Sequence, residues 1–186
     1  MTDDIKSKLL FSVIVLAFRF SQNEIEEMMS KVIEAVNIPN TGVSAQISTH
    51  SVYVKEMECL TTNYLYRTAK QYDLNNVIEK VSEQLFSTLH DYPSLRMSSG
   101  IKSFIGTCVR VAWQLSTHSP PYILDYDHKD FNDQLHQRFH RNDTNKKIKG
   151  YLWPALLDAT TLKCVHKGIV ITEKSESDDE LCDTKL

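Results

Sequence analysis

The sequence predicts an α+β fold that is mainly α: a bundle of about five helices with a small antiparallel sheet, a hairpin, at its C-terminal end. Residues 4–115 carry apolar residues at spacings of three and four, divided by helix start and stop signals. Three short apolar runs then alternate as strands do: Tyr122–Tyr126, Tyr151–Leu157 and Leu162–Ile171. Helices followed by strands in one chain are typical of the α+β class.

The first two helices are predicted from an apolar run and a capping signal. Asp4–Phe20 should form a helix that is buried nearly all round. Its apolar part, Leu9–Phe20, has twelve residues, whereas a membrane span needs ~20, so we interpret it as a core helix and not as a membrane anchor or signal peptide. The motif Ser21-Gln-Asn-Glu24 has the form of a capping box and predicts that a second helix begins there.

The remaining helices are predicted from their terminal signals. Val43–Tyr72 reads as one long helix or as two with a break. Asp73 should cap a fourth helix that Tyr92-Pro93 ends, and Ser98 or Ser99 should cap a fifth. Pro120-Pro121 closes the fifth helix and directs the chain into an extended path.

The C-terminal part should contain one hairpin with an irregularity at a proline. A short helix is predicted over Lys129–His140, then a polar loop over Asn142–Lys149. The polar segment after Leu157 should be the hairpin loop. Pro154 cannot donate to a strand ladder, so its run should be an edge strand or carry a bulge there. Trp153 is predicted to pack on the helices, so that truncating it costs about 3–5 kcal/mol.

Composition and charge exclude several classes of protein. Apolar content of 41% and charged content of 24% are ordinary for a soluble globular protein. We expect one domain over residues 1–172 and an acidic, disordered tail over 173–186, where six acids and two lysines give −4. The total charge is −3, so the body carries about +1, too little to indicate nucleic-acid binding. The four cysteines contain no CxxC pair and should be reduced thiols.

Basic residues concentrate within twelve positions that include a single acid, Asp143. This basic cluster consists of Arg138, His140, Arg141, Lys146, Lys147 and Lys149. Such a cluster attracts phosphate head groups at an anionic membrane surface, although a solvated loop has the same composition. Arg110, beside Trp113, could join a lipid-facing surface or stack on the indole ring.

A second set of side chains raises the possibility of an enzyme. His136 and His140 would share a helix face, and Cys164 and His166 alternate onto one side of the last strand. Together they could offer zinc ligands. Cys164 or Cys108, with a histidine, could also act as a thiol nucleophile. However, the histidine pair lacks the Glu of the HExxH motif, and the four separations fit no zinc-ribbon spacing. No glycine-rich phosphate loop is present in the sequence either. We therefore expect no catalytic residues, no metal and no cofactor.

Four blocks in the C-terminal part carry a family resemblance. They are Pro120-Pro121-Tyr122, Arg138-Phe139-His140, Tyr151-Leu-Trp-Pro-Ala-Leu-Leu157 and Cys164-Val-His-Lys-Gly168. In order and spacing they resemble the C-terminal domain of the mitochondria-eating protein family. The resemblance is strongest over Trp113–Thr172, and Leu9–Phe20 is the best match within the helical part.

The resemblance implies a non-enzymatic role in mitochondrial quality control, with the protein in the cytoplasm and at mitochondria, on the outer surface or in the interior. It implies as partner the anionic lipid cardiolipin, or a mitochondrial membrane protein in an adaptor module without lipid binding. Contact with the membrane would be peripheral, with no transmembrane span. Full-length family members carry coiled coils ahead of this domain, and this sequence has no such run. We therefore expect either an excised domain or a short relative.

Overall fold

The computed structural model describes residues 3–36, 47–89 and 92–173. Within these ranges the fold is α+β, with four α-helices and six strands in two sheets of three strands. The helices are α1 (Asp3–Ala35), α2 (Ile47–Thr68), α3 (Asn75–Ser87) and α4 (Ser99–Ser116), with a 3₁₀ helix at Pro93–Met97. The strands are β1 (Tyr122–Asp125), β2 (His136–Arg138), β3 (Ile148–Trp153), β4 (Ala155–Asp158), β5 (Cys164–His166) and β6 (Gly168–Thr172).

The chain divides into two compact units. We call Ser12–Pro121 the helical unit, and Met1–Phe11 together with Tyr122–Leu186 the sheet unit. The predicted class is confirmed, but the predicted number of about five helices is not. The acidic tail after residue 173 lies outside the described residues, and the proposed domain boundary at 172 stays a prediction.

Helix α1 is the reason for the difference in helix number. It runs without interruption through Ser21–Glu24, so the predicted capping box is wrong. Ser21 is fully buried, and Glu24 forms an ion pair with Lys80 of α3 at 2.9 Å instead of reaching back to Ser21. A capping box is a local signal, and this segment contains no proline or glycine that would stop a helix. Packing of both flanking apolar stretches therefore continues the helix through it.

The caps of the later helices follow the sequence more closely. Ser98 is the N-cap of α4, and its hydroxyl accepts the Ile101 amide at 3.4 Å. Asp73 lies one residue before the N-cap of α3, yet its carboxylate accepts the Asn75 amide at 3.0 Å. One cis peptide bond, Ser119-Pro120, follows α4.

The core of the helical unit is centred on Trp113. Its side chain is 0% exposed, and Tyr72 stacks on it with ring centroids 4.6 Å apart and planes 13° from parallel. The Tyr72 hydroxyl in turn donates to the sulfur of Met28 in α1 at 3.2 Å. Fully buried aliphatic side chains contributed by α1, α3 and α4 complete the core: Val13, Val77, Val81, Leu85, Ile105 and Val109.

Both sheets of the sheet unit share one bent hairpin. The first has the order β1-β4-β5 and the second β2-β6-β3. The hairpin changes sheet on both arms, between Trp153 and Ala155 and between His166 and Gly168. Pro154 lies at the first change, so the predicted irregularity is present as a break between two strands. At the second change the Gly168 backbone lies against this peptide, so that an added Cβ would come within 2.8 Å of the Ala155 nitrogen.

The segment predicted as a helix over Lys129–His140 is not helical, which corrects the sequence analysis. Asn132 forms an Asx turn in which its side-chain oxygen accepts the Gln134 amide at 2.9 Å. Strand β2 follows and pairs with β6 in parallel, from His136 opposite Gly168 to Arg138 opposite Val170. Pairing with β6 thus overrides the local preference for a helix. The three paired residues satisfy backbone N–H and C=O groups, whereas a short helix would leave such groups without hydrogen-bond partners at both of its ends.

Candidate functional site

The basic cluster lies in a connection that passes over the end of β6. Residues 139–147 join β2 to β3, the two strands on either side of β6. The Phe139 amide donates to the Val170 carbonyl at 2.9 Å, and the Thr172 hydroxyl donates to the Asp143 carboxylate at 3.0 Å. The connection is therefore fixed to the strand it crosses.

A second set of backbone bonds fixes Lys146 and Lys147. Lys147 forms an antiparallel bridge with Asp130. The Phe131 amide donates to the Lys146 carbonyl at 2.6 Å, and the Ile148 amide donates to the Lys129 carbonyl at 2.8 Å. Because the backbone of these lysines is paired, their side chains project from a structured position.

The side chains of the basic cluster divide into two groups. His140, Arg141, Lys146, Lys147 and Lys149 are exposed. Across the described ranges, no ion pair involves Arg141 or these three lysines. Arg138 differs, since it is half-buried, its guanidinium carbon lies 3.6 Å from the centroid of the Phe131 ring, and it donates to the Asn145 carbonyl at 3.2 Å. Arg138 therefore supports the connection from beneath.

The fold brings two acidic residues close to the basic cluster that lie outside residues 138–149 in the sequence. Asp130 lies opposite Lys147 through the bridge, and the Glu173 amide donates to the Lys147 carbonyl at 3.0 Å. Asp143 already has a partner in Thr172. Asp130 therefore offsets part of the positive charge around Lys147.

An apolar face of the second sheet borders the basic cluster. Side chains alternate between the two sides of a strand. Val170 and Thr172 of β6 are buried, so Ile169 and Ile171 lie on the opposite side. Trp153 pairs with Ile169 and is 41% exposed.

Phe139 belongs to the same face. It follows Arg138, which pairs with Val170, and is 56% exposed. We call Phe139, Trp153, Ile169 and Ile171 the aromatic face. Phe139 directly precedes His140, and Lys149 precedes the residue paired with Ile171, so the aromatic face and the basic cluster adjoin. The prediction that Trp153 is buried against the helices is therefore wrong.

Two other candidate residues lie in the helical unit. Arg110 is exposed on α4. Trp113 has no exposed surface and stacks on Tyr72. A lipid or protein cannot contact a side chain that is fully enclosed in the core, so Trp113 is not part of the exposed surface described above.

The candidate metal or thiol residues are separated by the fold. His136 is buried in the β2-β6-β3 sheet, His140 is exposed in the connection after it, and Cys164 and His166 lie on β5 of the other sheet. Nowhere in ranges 3–36, 47–89 and 92–173 do three His, Cys, Asp or Glu residues lie close enough to hold a metal ion. The shared helix face of His136 and His140 was wrong because no helix forms there. Burial raises the pKa of Cys108 to about 11, which keeps it a neutral thiol.

A polar network that the sequence analysis did not single out surrounds His136. The Nε2 atom of His136 lies 3.1 Å from the Tyr151 hydroxyl, and the Asn132 amide donates to its Nδ1 at 3.0 Å. The His128 ring lies edge-on to the His136 ring at 5.6 Å, and its Nε2 contacts the Asp125 carboxylate at 2.9 Å. Burial, assisted by negative charge on Asp125 and Asp127, raises the pKa of Tyr151 to about 12. Only the strand register, which places His136 and Tyr151 on one face of the sheet, could have revealed this network.

None of the helices in the described part of the chain has the length and apolar character that crossing a membrane requires. A comparison with protein-family models matches residues 1–172 to the family described as mitochondria-eating protein. No curated protein and no solved structure matches the chain.

Proposed function

Because the chain belongs to the mitochondria-eating protein family, which acts in mitochondrial quality control, we propose that its sheet unit binds the anionic lipid of mitochondrial membranes. The family is non-enzymatic, so binding is the activity to be explained. The ligand we propose is cardiolipin, whose phosphates would meet the basic cluster. The chain would contact the membrane peripherally, on the outer mitochondrial surface or in the interior.

The observation that carries this proposal is the contact between two surfaces of different chemistry. Exposed cations attract an anionic bilayer with about 1 kcal/mol for each basic residue near its surface. Exposed aromatic rings favour the boundary between head groups and acyl chains. The sheet unit presents both, with Arg141 two residues after exposed Phe139 and Lys149 beside the residue paired with Ile171 of the aromatic face. We infer that the cations dock the domain and that the two rings then enter the interface.

Vesicle sedimentation tests the electrostatic part. Changing Lys146, Lys147 and Lys149 to Glu should abolish sedimentation with cardiolipin-containing vesicles, while neutral vesicles should bind poorly in either case. Binding by the parent chain should weaken with salt, because the screening length falls from about 10 Å at 0.1 M to about 3 Å at 1 M. The matched control changes Lys31, Lys55 and Lys70 of the helical unit to Glu, which alters net charge equally at three exposed positions. Equal loss in both variants would contradict a defined site.

Tryptophan fluorescence tests the apolar part. The chain has two tryptophans, of which Trp113 is enclosed in the core and Trp153 is exposed. Cardiolipin vesicles should shift the emission of the parent chain to shorter wavelength, and the Trp153→Phe variant should show no shift. Phe139→Ala should weaken binding while leaving the shift of the bound fraction intact. A shift that persists in Trp153→Phe would show that this ring does not enter the bilayer.

A protein adaptor without lipid binding is the second candidate, and helix α2 favours it. Tyr53, Leu60 and Tyr64 lie on one face of α2 and are each more than half exposed, with Met57 between them. An amphipathic partner helix is the usual occupant of such a stripe. If the parent chain fails to sediment with every vesicle composition at low salt, and changing these three exposed residues to Ser abolishes recruitment to isolated mitochondria, the adaptor function replaces lipid binding.

A further inference from the structure

The protonation state of His136 is fixed by its contacts. The Asn132 backbone N–H donates to Nδ1 at 3.0 Å, so Nδ1 carries no proton. In a neutral ring the single proton is then on Nε2, which donates to the Tyr151 hydroxyl at 3.1 Å. His136 is 1% exposed, so water does not replace either bond.

The Tyr151 hydroxyl passes this constraint to the backbone of His128. It accepts the His128 amide at 3.2 Å and donates to the His128 carbonyl at 3.4 Å. Residues 126–135, which connect β1 to β2, are thus held to β3 by this hydroxyl as well as by the backbone bond from Ile148 to Lys129, and the hydroxyl keeps its orientation while Nε2 carries a proton. A protonated His136 would place a second proton on Nδ1, directly facing the Asn132 N–H, and two donors cannot share a hydrogen bond.

We propose that His136 is an acid-sensitive lock on residues 126–135: the neutral ring holds this segment to the sheet, and protonation releases it. This lock requires no ligand and is therefore independent of the proposed lipid binding. It follows from the hydrogen-bond geometry and the burial of the ring.

The titratable groups around the ring set the direction of the effect. Burial, followed by the His128 charge, lowers the pKa of His136, and the Asp125 carboxylate partly opposes this. Tyr151, with a pKa of about 12, does not titrate between pH 5 and 8, and the Asp127 carboxylate lies near its hydroxyl. From β6, the pairing partner is Gly168, which has no side chain, and the nearby Lys167 ammonium is bound to the Asp133 carbonyl.

The sign follows from proton linkage. The unfolded chain protonates His136 near its ordinary pKa of 6.5, whereas the folded chain resists protonation until a lower pH. The contribution of His136 to stability is therefore complete above about pH 6.5 and is lost as pH falls below it towards the folded-state pKa.

Release of residues 126–135 should also affect the basic cluster. The bonds that fix Lys146 and Lys147 come from Lys129, Asp130 and Phe131, all within the locked segment. Release of the segment removes these partners. Amides 126–131 and 146–148 should therefore lose protection together, although only the first set adjoins His136.

Hydrogen exchange of the full chain tests the lock. Between about pH 7.5 and about pH 5.5, and after correction for the intrinsic rate, protection of amides 126–131 and 146–148 should fall by up to about tenfold per pH unit. His136→Gln does not titrate and should make this protection independent of pH. Tyr151→Phe keeps the ring but removes the hydroxyl, so protection should be low at both pH values. The control His166→Gln, at an exposed histidine of β5, should behave as the parent chain does.

A measurement on the unaltered chain keeps the proposal testable if a variant does not fold. The ¹⁵N chemical shifts of the His136 ring report which nitrogen carries the proton, and their titration reports its pKa. We expect a proton on Nε2 only and a pKa below the ordinary histidine value of 6.5. A proton on Nδ1, an ordinary titration, or protection at these amides that does not change with pH would overturn the proposal.

Discussion

The two tryptophans of this chain have opposite environments although their residue type is the same. Trp113 is enclosed by α4 and Tyr72, whereas Trp153 lies on the outward side of β3. Periodicity places Trp113 on the apolar face of its helix, but its burial depends on a ring from a distant part of the sequence. Trp153 lies in an apolar run, and its exposure depends on strand register, which a single sequence does not fix.

Trp113→Ala should lower the free energy of unfolding by about 3–5 kcal/mol, because it removes a buried aromatic side chain and leaves a cavity. Trp153→Ala should change it by no more than about 0.5 kcal/mol, as is usual for exposed positions. Chemical denaturation monitored by circular dichroism compares the two variants without relying on tryptophan emission. Similar losses in both variants would contradict the different burial of the two rings.

Leu162 has a backbone conformation that suits another residue. Its φ is 55°, in the left-handed region, at the end of the turn in which Asp158 accepts the amides of Thr160 and Thr161. The side chain is exposed, so little packing would be lost on replacing it. Leu162→Asn should raise the free energy of unfolding by about 1 kcal/mol, since Asn adopts this conformation at lower cost. Thr160→Asn in the same turn should bring no gain in a thermal melt, and a gain of equal size there would show that strain at Leu162 is not the cause.

At the scale of elements, the sequence predicted those features that one residue determines. Ser98 begins α4 because its hydroxyl accepts an amide three residues on, and Pro154 interrupts a strand because it lacks an N–H. The incorrect predictions concern segments whose secondary structure depends on residues that are distant in the sequence. Ser21–Glu24 continues a helix because both neighbouring stretches pack, and residues 136–138 form a strand because β6 lies beside them. A three-residue strand has too few positions for an alternating pattern to be recognised.

A prediction at the scale of elements concerns Gly168, where the hairpin passes from one sheet to the other. A Cβ there would meet the backbone of Trp153, Pro154 and Ala155 at 2.8–3.2 Å, and backbone atoms cannot move aside as a flexible side chain can. Gly168→Ala should therefore lower the free energy of unfolding by about 1–3 kcal/mol. Gly150 on β3 is the matched control, because an added Cβ meets no atom within 4 Å and the chain has no positive φ there. Gly150→Ala should be neutral or stabilise by up to about 1 kcal/mol, and denaturant midpoints that rank the two variants in the reverse order would refute the close approach.

At the scale of the whole molecule, charge is distributed unevenly along the sequence. The last fourteen residues carry −4, and the rest carries about +1. The basic cluster could be found by counting, since its members are close in sequence. The aromatic face could not, because Phe139 and Trp153 are neighbours only through the pairing of β2 and β3 with β6.

The acidic tail should oppose binding to an anionic membrane. Replacing its five acids after Glu173 with the corresponding amides changes the net charge from −3 to +2. If the proposed lipid binding holds, this variant should sediment with cardiolipin vesicles at lower lipid concentration than the parent chain does. The difference should vanish near 1 M salt, where screening is confined to about 3 Å. A difference that persists at high salt would show that the tail acts by something other than its charge.

Because the bent hairpin contributes strands to both sheets, the strand register of one sheet determines the register of the other. Strands β3 and β4 are consecutive, as are β5 and β6, so sliding β3 by one residue along β6 would force β4 to slide along β5. Each such slip reverses the side chains of the strand that moves, which would expose Leu157 of β4 and turn Tyr151 of β3 away from His136 at the same time. A register error in one sheet therefore destabilises both sheets. Two small sheets of short strands gain in this way an accuracy of assembly that neither would have alone.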